Sequence, residues 1–224
     1  MGRKLRSMCS LQGEKLHQYG DLARINEDRK YLSGTPGFSY RTKKTLDKIK
    51  CDKFDDDKIS ESGGICLSRY GDPGYGELVK RDKYNNRNFC AELIGKSVEV
   101  LKPLIWEHGI RYITYVPSRR NRMVAQLAEE IASRCNLRVL NLLEKSQAPQ
   151  QKIMENSSHQ CENAYTSFHM KKGVKVPKKI LLIDDIVDSR WTLTVCGYRL
   201  MEHGCEEVYP FALADSSERK DGNE

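Results

Sequence analysis

The chain has 224 residues, of which 38% are hydrophobic, and its 38 Lys and Arg outnumber its 31 Asp and Glu to give a formal net charge of +7. This length accommodates one substantial α/β domain with an extension, and the basic charge favours anionic ligands without choosing between phosphates and nucleic acid. No apolar run approaches the roughly 18 residues of a membrane span, and no signal-type apolar segment opens the chain. We therefore expect a soluble, cytoplasmic protein with no membrane partner.

The cysteine pattern bears on the redox compartment. The eight cysteines form no C-x-x-C pair, and several fall at apolar positions of predicted helices. This pattern argues against a zinc site and for reduced thiols in a cytosol.

Residues 1–64 form a polar, charged N-terminal extension with few apolar anchors. A basic run over 43–53 is followed by an acidic run over 55–57, which is typical of a solvated, partly disordered or partner-docking segment. Binding of nucleic acid through the basic run is the alternative that this segment leaves open. We expect an ordered α/β domain over 65–216 and a polar tail over 217–224.

Residues 67–76 concentrate Gly, Asp and Pro and predict a turn cluster. Apolar residues at helical spacing then predict an amphipathic helix over 89–107, with Pro103 as the point for a kink and Gly109 as the stop.

Residues 112–143 predict a strand, a loop, a helix and a second strand, in that order. The strands are expected over 112–116 and 138–143, with a basic loop over 117–122 and a strongly periodic helix over 124–135. Because a strand, a crossover helix and a second strand make a parallel pair, we expect an α/β fold. Its core is predicted to be a mainly parallel twisted sheet with helices on both faces.

A long polar stretch lies between residues 143 and 174. Its lack of clear periodicity is typical of a lid over a ligand site or of a disordered connection.

One stretch organises the rest of the chain: an apolar run over 180–183, which predicts a buried strand that ends in Asp184 and Asp185. A polar turn over 188–192 follows, and a helical pattern then runs to Gly204. In an open α/β sheet, ligands bind in the crevice at the carboxyl ends of the strands, and the first amides of the following helix suit a phosphate. The pattern therefore predicts a ligand site with carboxylates on one side and an anion cradle on the other.

A ribose 5-phosphate matches both halves of this predicted site. Carboxylates accept hydrogen bonds from the 2- and 3-hydroxyls, while Ser189, Thr192 and the turn amides donate to the phosphate. A Walker B strand or the acid cluster of a receiver domain would also end in two acids. A Walker B strand needs a P-loop partner, however, and the Gly-Lys-Ser at 95–97 lacks the first glycine because Cys90 stands there.

The order of four apolar residues, two acids, two apolar residues and a polar turn ending in Thr strongly resembles the phosphoribosyl-pyrophosphate (PRPP) signature of type I phosphoribosyltransferases. Other tracts resemble a competence-type (ComF-like) subgroup and, more closely, the phosphoribosyltransferase domain at the C-terminus of some bacterial RecQ-type DNA helicases. These tracts are YGDPGYGELVKR, VPSRR, QKIMENSSHQ, IVDSRWTLTV and VYPFALADSS. The resemblance covers about residues 65–216.

The resemblance implies roles for the residues of the site and Mg²⁺ as the cofactor. Asp184 and Asp185 would bind the ribose and hold the metal indirectly, through ligand or water. The implied ribose-phosphate set comprises Asp184, Asp185, Asp188, Ser189, Arg190, Trp191 and Thr192. The implied pyrophosphate set comprises Ser118, Arg119 and Arg120. The family closes a flexible loop over its substrate where this chain has the long polar stretch.

Three residues of the turn keep two interpretations each. Asp188, which joins Asp184 and Asp185 as a catalytic candidate, either acts as a base or holds the nucleobase, or is a carboxylate that only favours the helix dipole. Arg190 stands where most family members carry Gly, so it either tolerates the turn or adds a cation to the phosphate cup. Trp191 either stacks on a base or packs in the interior.

Two functions of different class follow. The first is an enzyme that transfers ribose 5-phosphate between pyrophosphate and a nitrogen base, and the resemblance implies a homo-oligomer. The second is a non-catalytic module that binds PRPP or a nucleotide and signals to a DNA-acting partner such as a helicase. The chain itself carries no helicase motif, and the departure at Arg190 keeps the second function open.

Overall fold

The structure is a computed structural model, and it describes residues 38–39, 63–85, 88–119, 122–146 and 157–217. The expectations for the N-terminal extension therefore fall outside the described residues except at 38–39 and 63–64, and so does the expectation for nearly all of the polar tail. The boundaries of the 65–216 domain stay a prediction.

Strands and helices alternate along the described residues. In chain order they are β1 (Phe38–Ser39), β2 (Gly63–Arg69), α1 (Tyr75–Asn85), α2 (Ala91–His108), β3 (Tyr112–Tyr115), α3 (Met123–Cys135), β4 (Arg138–Val139), β5 (Leu143–Lys145), α4 (Ser157–Ser167), β6 (Phe168–Met170), β7 (Lys179–Val187), α5 (Trp191–Glu202) and β8 (Glu207–Asp215).

The main sheet has six strands in the order β1-β2-β8-β7-β3-β4. β1 pairs with β2 in antiparallel fashion, and every other neighbouring pair in this sheet is parallel. This arrangement confirms the expected mainly parallel sheet. It also places the carboxyl ends of β2, β8, β7 and β3 at one edge, where open α/β sheets bind ligands.

Helices cover both faces of the sheet and form two apolar layers. Residues of α4 and α5 pack in one layer, and residues of α1, α2 and α3 pack in the other. The central strand β7 explains this division, since Ile180 and Leu182 enter the first layer while Leu181 and Ile183 enter the second. A strand that is buried on both faces has a continuous apolar run, which is the pattern that identified β7 in the sequence.

The two most periodic helices are confirmed. The helix expected over 89–107 is α2, which passes Pro103 without interruption and ends at Gly109 in the left-handed conformation with φ of 64°. The helix expected over 124–135 is α3. Residues 95–97 lie inside α2, where the Ser97 hydroxyl donates to the Leu93 carbonyl at 2.7 Å, so they form no phosphate loop.

Two predictions at the strands were wrong. The turn cluster expected over 67–76 holds the end of β2 and the start of α1, and only residues 70–74 form the turn. The single strand expected over 138–143 is split, because β4 pairs with β3 in the main sheet whereas β5 pairs with β6 in a separate antiparallel pair. In both places pairing with a distant strand decides the structure, and a local pattern cannot show it.

The expectation of a lid or disorder between residues 143 and 174 was wrong for its second half. Residues 157–170 form α4 and β6, and Cys161, Ala164 and Phe168 are buried in the layer built on α5. Residues 147–156 of that stretch lie outside the described residues.

Among the described helices, none combines the length and apolar character that a membrane span requires.

Candidate functional site

β7 runs past the carboxylates instead of ending at them. The ladder with β8 continues through Asp184, Ile186 and Val187 as far as Asp215. The expectation that Asp184 and Asp185 end the strand is therefore corrected by the structure. Since the backbone of both residues belongs to a central strand, their side chains start from fixed positions at the carboxyl edge of the sheet.

The two carboxylates differ in burial and in their partners. Asp184 is 8% exposed, and its Oδ1 accepts a hydrogen bond from the Asp185 amide at 2.8 Å. Asp185 Oδ1 accepts from the Ile186 amide at 2.8 Å, and its Oδ2 lies 3.1 Å from Lys83 Nζ. One oxygen of each carboxylate is thus held by the strand's own backbone, which fixes the orientation of the pair.

Burial raises the pKa of Asp184 well above its usual range, and the charge of Asp185 raises it further. The hydrogen bond from the Asp185 amide and the charge of Lys83 act in the opposite direction. An anionic pair at this depth is stable only with donors or cations beside it. The site therefore favours a ligand that brings hydroxyl donors or a bound cation.

Helix α1 and the turn after β2 bring three side chains to this edge that the sequence did not point to. Lys83, in the last turn of α1, forms the ion pair with Asp185. Tyr84, also in α1, is 75% exposed and hydrogen-bonds with Tyr70, which follows β2. Burial, this hydrogen bond and the charge of Asp185 raise the pKa of Tyr70 to about 12, so that its phenol keeps its proton. The tract YGDPGYGELVKR covers residues 70–81, so it includes Tyr70 without a role and ends before Lys83 and Tyr84.

The polar turn between β7 and α5 is tighter than expected. The turn comprises residues 188–190, and α5 begins at Trp191, inside the segment predicted as turn. Asp188 is exposed, whereas Ser189 and Thr192 are half-buried. The first amides of α5 lie beside the carboxyl end of β7, as the anion-cradle hypothesis requires.

Arg190 holds the left-handed conformation that Gly adopts readily, with φ of 68° and ψ of −10°. Its carbonyl accepts the first helical hydrogen bond, from the Thr194 amide at 3.0 Å.

Trp191 is 1% exposed and belongs to the apolar layer of α5, so the packing interpretation holds for its side chain.

The buried thiol of Cys66 is affected by the charged groups near this edge. Burial raises the pKa of Cys66 well above its usual range, and the charge of Asp215 raises it further. Arg190 lowers that pKa and Asp184 raises it. Asp184 and Asp215 belong to the last residues of β7 and β8, and Arg190 follows β7 in the turn, so all three charges lie toward the same end of the sheet.

Asp215 is a third acid of this edge that sequence reasoning missed. It ends β8 opposite Val187, is 1% exposed, and accepts a hydrogen bond from the Ser217 amide at 2.8 Å. Its sequence signal was the same as that of Asp184, namely an apolar run, here over 208–214, that stops at an acid.

The loop after β3 lies next to the carboxylate edge. The Val116 amide donates to the Ile183 carbonyl at 2.8 Å, one residue before Asp184, so the loop leaves β3 alongside that residue. Ser118 and Arg119 are exposed, and Arg120 lies outside the described residues. Arg122 is turned to α3, where it pairs with Glu129 at 3.2 Å.

This loop lines a cavity of about 260 Å³. Lys145 and Lys171 join Arg119 and Arg122 around it, with Glu144 as a carboxylate in the lining. Asp184 and Asp185 do not line it. The structure thus adds to the cationic loop two lysines that the sequence did not assign to a site.

The donor set at the edge is compatible with a magnesium ion held indirectly. In the part of the chain that the structure describes, no group of three or more His, Cys, Asp and Glu could hold a metal ion. Two adjacent carboxylates still offer hard oxygen donors, and Mg²⁺ commonly completes its shell with water and ligand phosphates. Asp184 and Asp185 are the residues that would hold it.

Comparison with known proteins finds sequence similarity over about half of the chain. No protein-family model matches the chain. The chain is 31% identical over 109 residues to the competence protein ComFC of Streptococcus pneumoniae, and the match spans 48% of each chain. The chain thus spans about half the length of the curated relative that it matches. This bears out the competence-type resemblance as a distant similarity, while the link to a RecQ-type helicase stays a prediction.

Comparison with solved structures finds weak similarity to phosphoribosyltransferases. An adenine phosphoribosyltransferase has 12% identity and a TM-score of 0.38, over 57% of this chain and 81% of that one. A hypoxanthine-guanine phosphoribosyltransferase of Bacillus anthracis has 15% identity and a TM-score of 0.38, over 59% and 74% of the two chains.

Proposed function

We propose that the protein binds PRPP or a related ribose 5-phosphate at the carboxyl edge of the sheet and transfers the phosphoribosyl group between pyrophosphate and a nitrogen base. One observation carries this proposal. Asp184 and Asp185 are fixed near the end of the central strand β7, which ends at Val187, and the amino end of α5 follows after a turn of three residues. Few ligands other than a sugar phosphate need hydroxyl acceptors and an anion cradle at this spacing.

The ribose half of the ligand is assigned to the carboxylates. Their positions are fixed by hydrogen bonds from the strand's own amides, so they accept from the 2- and 3-hydroxyls without reorganising. Positive charge develops on the ribose as the bond from C1 to the pyrophosphate oxygen breaks and the bond to nitrogen forms. Negative carboxylates near the ring stabilise that charge, and this favours transfer over mere binding.

The phosphate half is assigned to the turn. The amides at the start of α5, the hydroxyls of Ser189 and Thr192 and the guanidinium of Arg190 would donate to the 5-phosphate. Asp188 is exposed beside them and is our candidate for holding or deprotonating the base.

The pyrophosphate is assigned to the loop after β3. Ser118 and Arg119, with Arg120 from the same loop, would bind it. Lys145 and Lys171 would add cations from the lining of the cavity that this loop borders. A bound Mg²⁺ would supply positive charge that offsets the negative charge developing on the pyrophosphate. We assign Asp184 and Asp185 to that ion through water or ligand oxygens.

A panel of nucleobases tests the transferase. Full-length protein is incubated with PRPP, Mg²⁺ and each base in turn, and release of pyrophosphate is measured. We expect release with at least one base, and its loss in the Asp188→Asn variant. Saturable binding of PRPP with no release for any base would overturn the transferase and favour the second function.

That second function is a ligand-binding module that passes a signal to a DNA-acting partner such as a helicase. Its support is the relative's name, which is that of a competence protein and not of a transferase. A module of this kind would keep the ribose-phosphate site and need no base subsite, so the same panel separates the two functions.

A further inference from the structure

Lys83 occupies a place that neither the sequence pattern nor the proposed function assigns. Its Nζ is 3.1 Å from Asp185 Oδ2, and the two side chains are 33% and 16% exposed. The other oxygen of Asp185 already accepts the Ile186 amide. Lys83 therefore contacts the carboxylate oxygen that the backbone leaves for a ligand or a metal ion.

Helix α1 holds this lysine in a fixed position. The preceding residue, Asp82, is fully buried, and its Oδ2 accepts a hydrogen bond from the Cys90 amide at 2.7 Å just before α2 begins. At the other end of α1, Gly76 packs directly on the Arg69 carbonyl at the end of β2. With both ends of α1 anchored, the contact of Lys83 with Asp185 is built into the fold and is unlike a chance surface ion pair.

We propose that Lys83 is the resident counter-cation of the Asp184–Asp185 pair and a positioning residue of the ribose-phosphate site. Its ammonium keeps a free divalent cation off Asp185, so that the metal enters together with an anionic ligand. It also offsets the repulsion between the carboxylates and the ligand's phosphates. The first role stands on the ion pair alone, whereas the second rests on the proposed function.

The charges of the edge explain why such a residue is needed. Two adjacent carboxylates repel a polyphosphate, and a divalent cation bound alone would repel a lysine ammonium at contact distance. A lysine suits this role because its ammonium sits on a flexible stem and can move from the carboxylate to a ligand oxygen. An arginine keeps the charge but binds the carboxylate as a planar fork, so we expect it to retain the role only in part.

The first arm of the test uses Mn²⁺ alone with the full chain. Mn²⁺ binding is measured by electron paramagnetic resonance for the wild type, Lys83→Met and Lys83→Gln. The matched control is Lys80→Met, which removes an exposed lysine from the same helix. We expect both Lys83 variants to bind Mn²⁺ about tenfold more tightly than the wild type, as a change of about 1.4 kcal/mol would give. We expect Lys80→Met to match the wild type.

Adding Asp185→Asn to Lys83→Met should abolish the gained Mn²⁺ site. Equal Mn²⁺ affinity in the wild type and in folded Lys83 variants, with folding checked by thermal melting, would overturn the counter-cation role. A gain that survives Asp185→Asn would overturn it too, because the ion would then bind elsewhere.

The second arm measures PRPP by calorimetry across a range of Mg²⁺ concentrations. We expect Lys83→Met to bind PRPP about tenfold more weakly and to need more Mg²⁺ for half-saturation, with partial rescue by Lys83→Arg. Unchanged PRPP binding in Lys83→Met would overturn the positioning role. If the wild type bound no PRPP while the Mn²⁺ result held, the proposed function would fail and the counter-cation role would stand.

Discussion

At the scale of single residues, Arg190 carries two opposed effects. Its backbone is left-handed, with φ of 68°, which costs a residue with a Cβ about 1 kcal/mol relative to Gly. Its positive charge lowers the pKa of the Cys66 thiol. If the guanidinium donates to the 5-phosphate as proposed, ligand binding would offset the backbone cost.

Two substitutions at this position separate the backbone from the side chain. Arg190→Gly removes the strain and the guanidinium, whereas Arg190→Ala removes the guanidinium and keeps the strain. We expect Arg190→Gly to raise the free energy of unfolding by about 1 kcal/mol relative to Arg190→Ala in urea titrations. Both variants should weaken binding of ribose 5-phosphate by roughly ten- to a hundredfold, since a charge-assisted hydrogen bond is worth about 1.5–3 kcal/mol. Unchanged affinity in both would mean that Arg190 points away from the phosphate.

At the scale of elements, the contact of α1 with β2 controls the site. An ideal Cβ on Gly76 would lie 1.8 Å from the Arg69 carbonyl oxygen, which is backbone and cannot move aside easily. A residue with a Cβ at position 76 would clash with that oxygen, so only glycine lets the start of α1 lie this close to the end of β2. Because α1 also carries Lys83, this glycine sets the distance from the helix to the carboxylates.

Gly76→Ala should destabilise the protein by at least about 2 kcal/mol, as an overpacked site does. Gly95→Ala is the matched control, since Gly95 lies inside α2 and its Cβ would meet nothing within 4 Å. A helix-interior change of this kind should stabilise the protein by about 0.5–1 kcal/mol. Thermal melting of both variants checks the contrast, and equal melting temperatures would refute the close approach.

Elements with local signals were the ones that the sequence could predict. The apolar spacing of α2 and α3 and the fully buried run of β7 each reflect one segment packing on its surroundings. The segment over 157–170 has weak periodicity of its own and is ordered by packing on α5. β5 likewise depends on pairing with β6, across residues that the local pattern does not connect.

The candidate site shows the same division. Asp184, Asp185 and the turn follow one another in the chain, so a motif could find them together. Lys83 and Asp215 reach the same edge from α1 and β8, and only the order of strands in the sheet brings them there. The sequence shows that position 190 is Arg and not Gly, but only the structure shows that the backbone of Arg190 is left-handed.

At the scale of the whole molecule, the buried cysteines report on the apolar layer that α4 and α5 form on the sheet. None of the six cysteines within the described residues is in a disulfide, and the four buried ones are Cys66, Cys161, Cys196 and Cys205. Burial raises the pKa of Cys66 and Cys196 well above the usual range and that of Cys205 to about 11. The reactive form of a thiol is the thiolate, so these groups should be inert in the folded protein.

We expect iodoacetamide at pH 8 to leave these four thiols unmodified until denaturant unfolds the chain. The pKa shifts have this sign because burial disfavours the thiolate, and unfolding returns the pKa to its ordinary value. Peptide mass spectrometry along a urea series measures the modification of each cysteine. Rapid modification of Cys196 without urea would contradict the packing of α5 on the sheet.

The most direct test of the account is calorimetric titration of magnesium–PRPP into the wild type and into the Asp184→Asn/Asp185→Asn double variant. Glu92→Gln/Glu107→Gln, which removes two exposed carboxylates from α2, is the control of equal charge change. We predict saturable binding by the wild type and the control, and none by the double variant, with melting showing all three to be folded. The same PRPP affinity in the double variant and the wild type would contradict the assignment of the ribose to this edge.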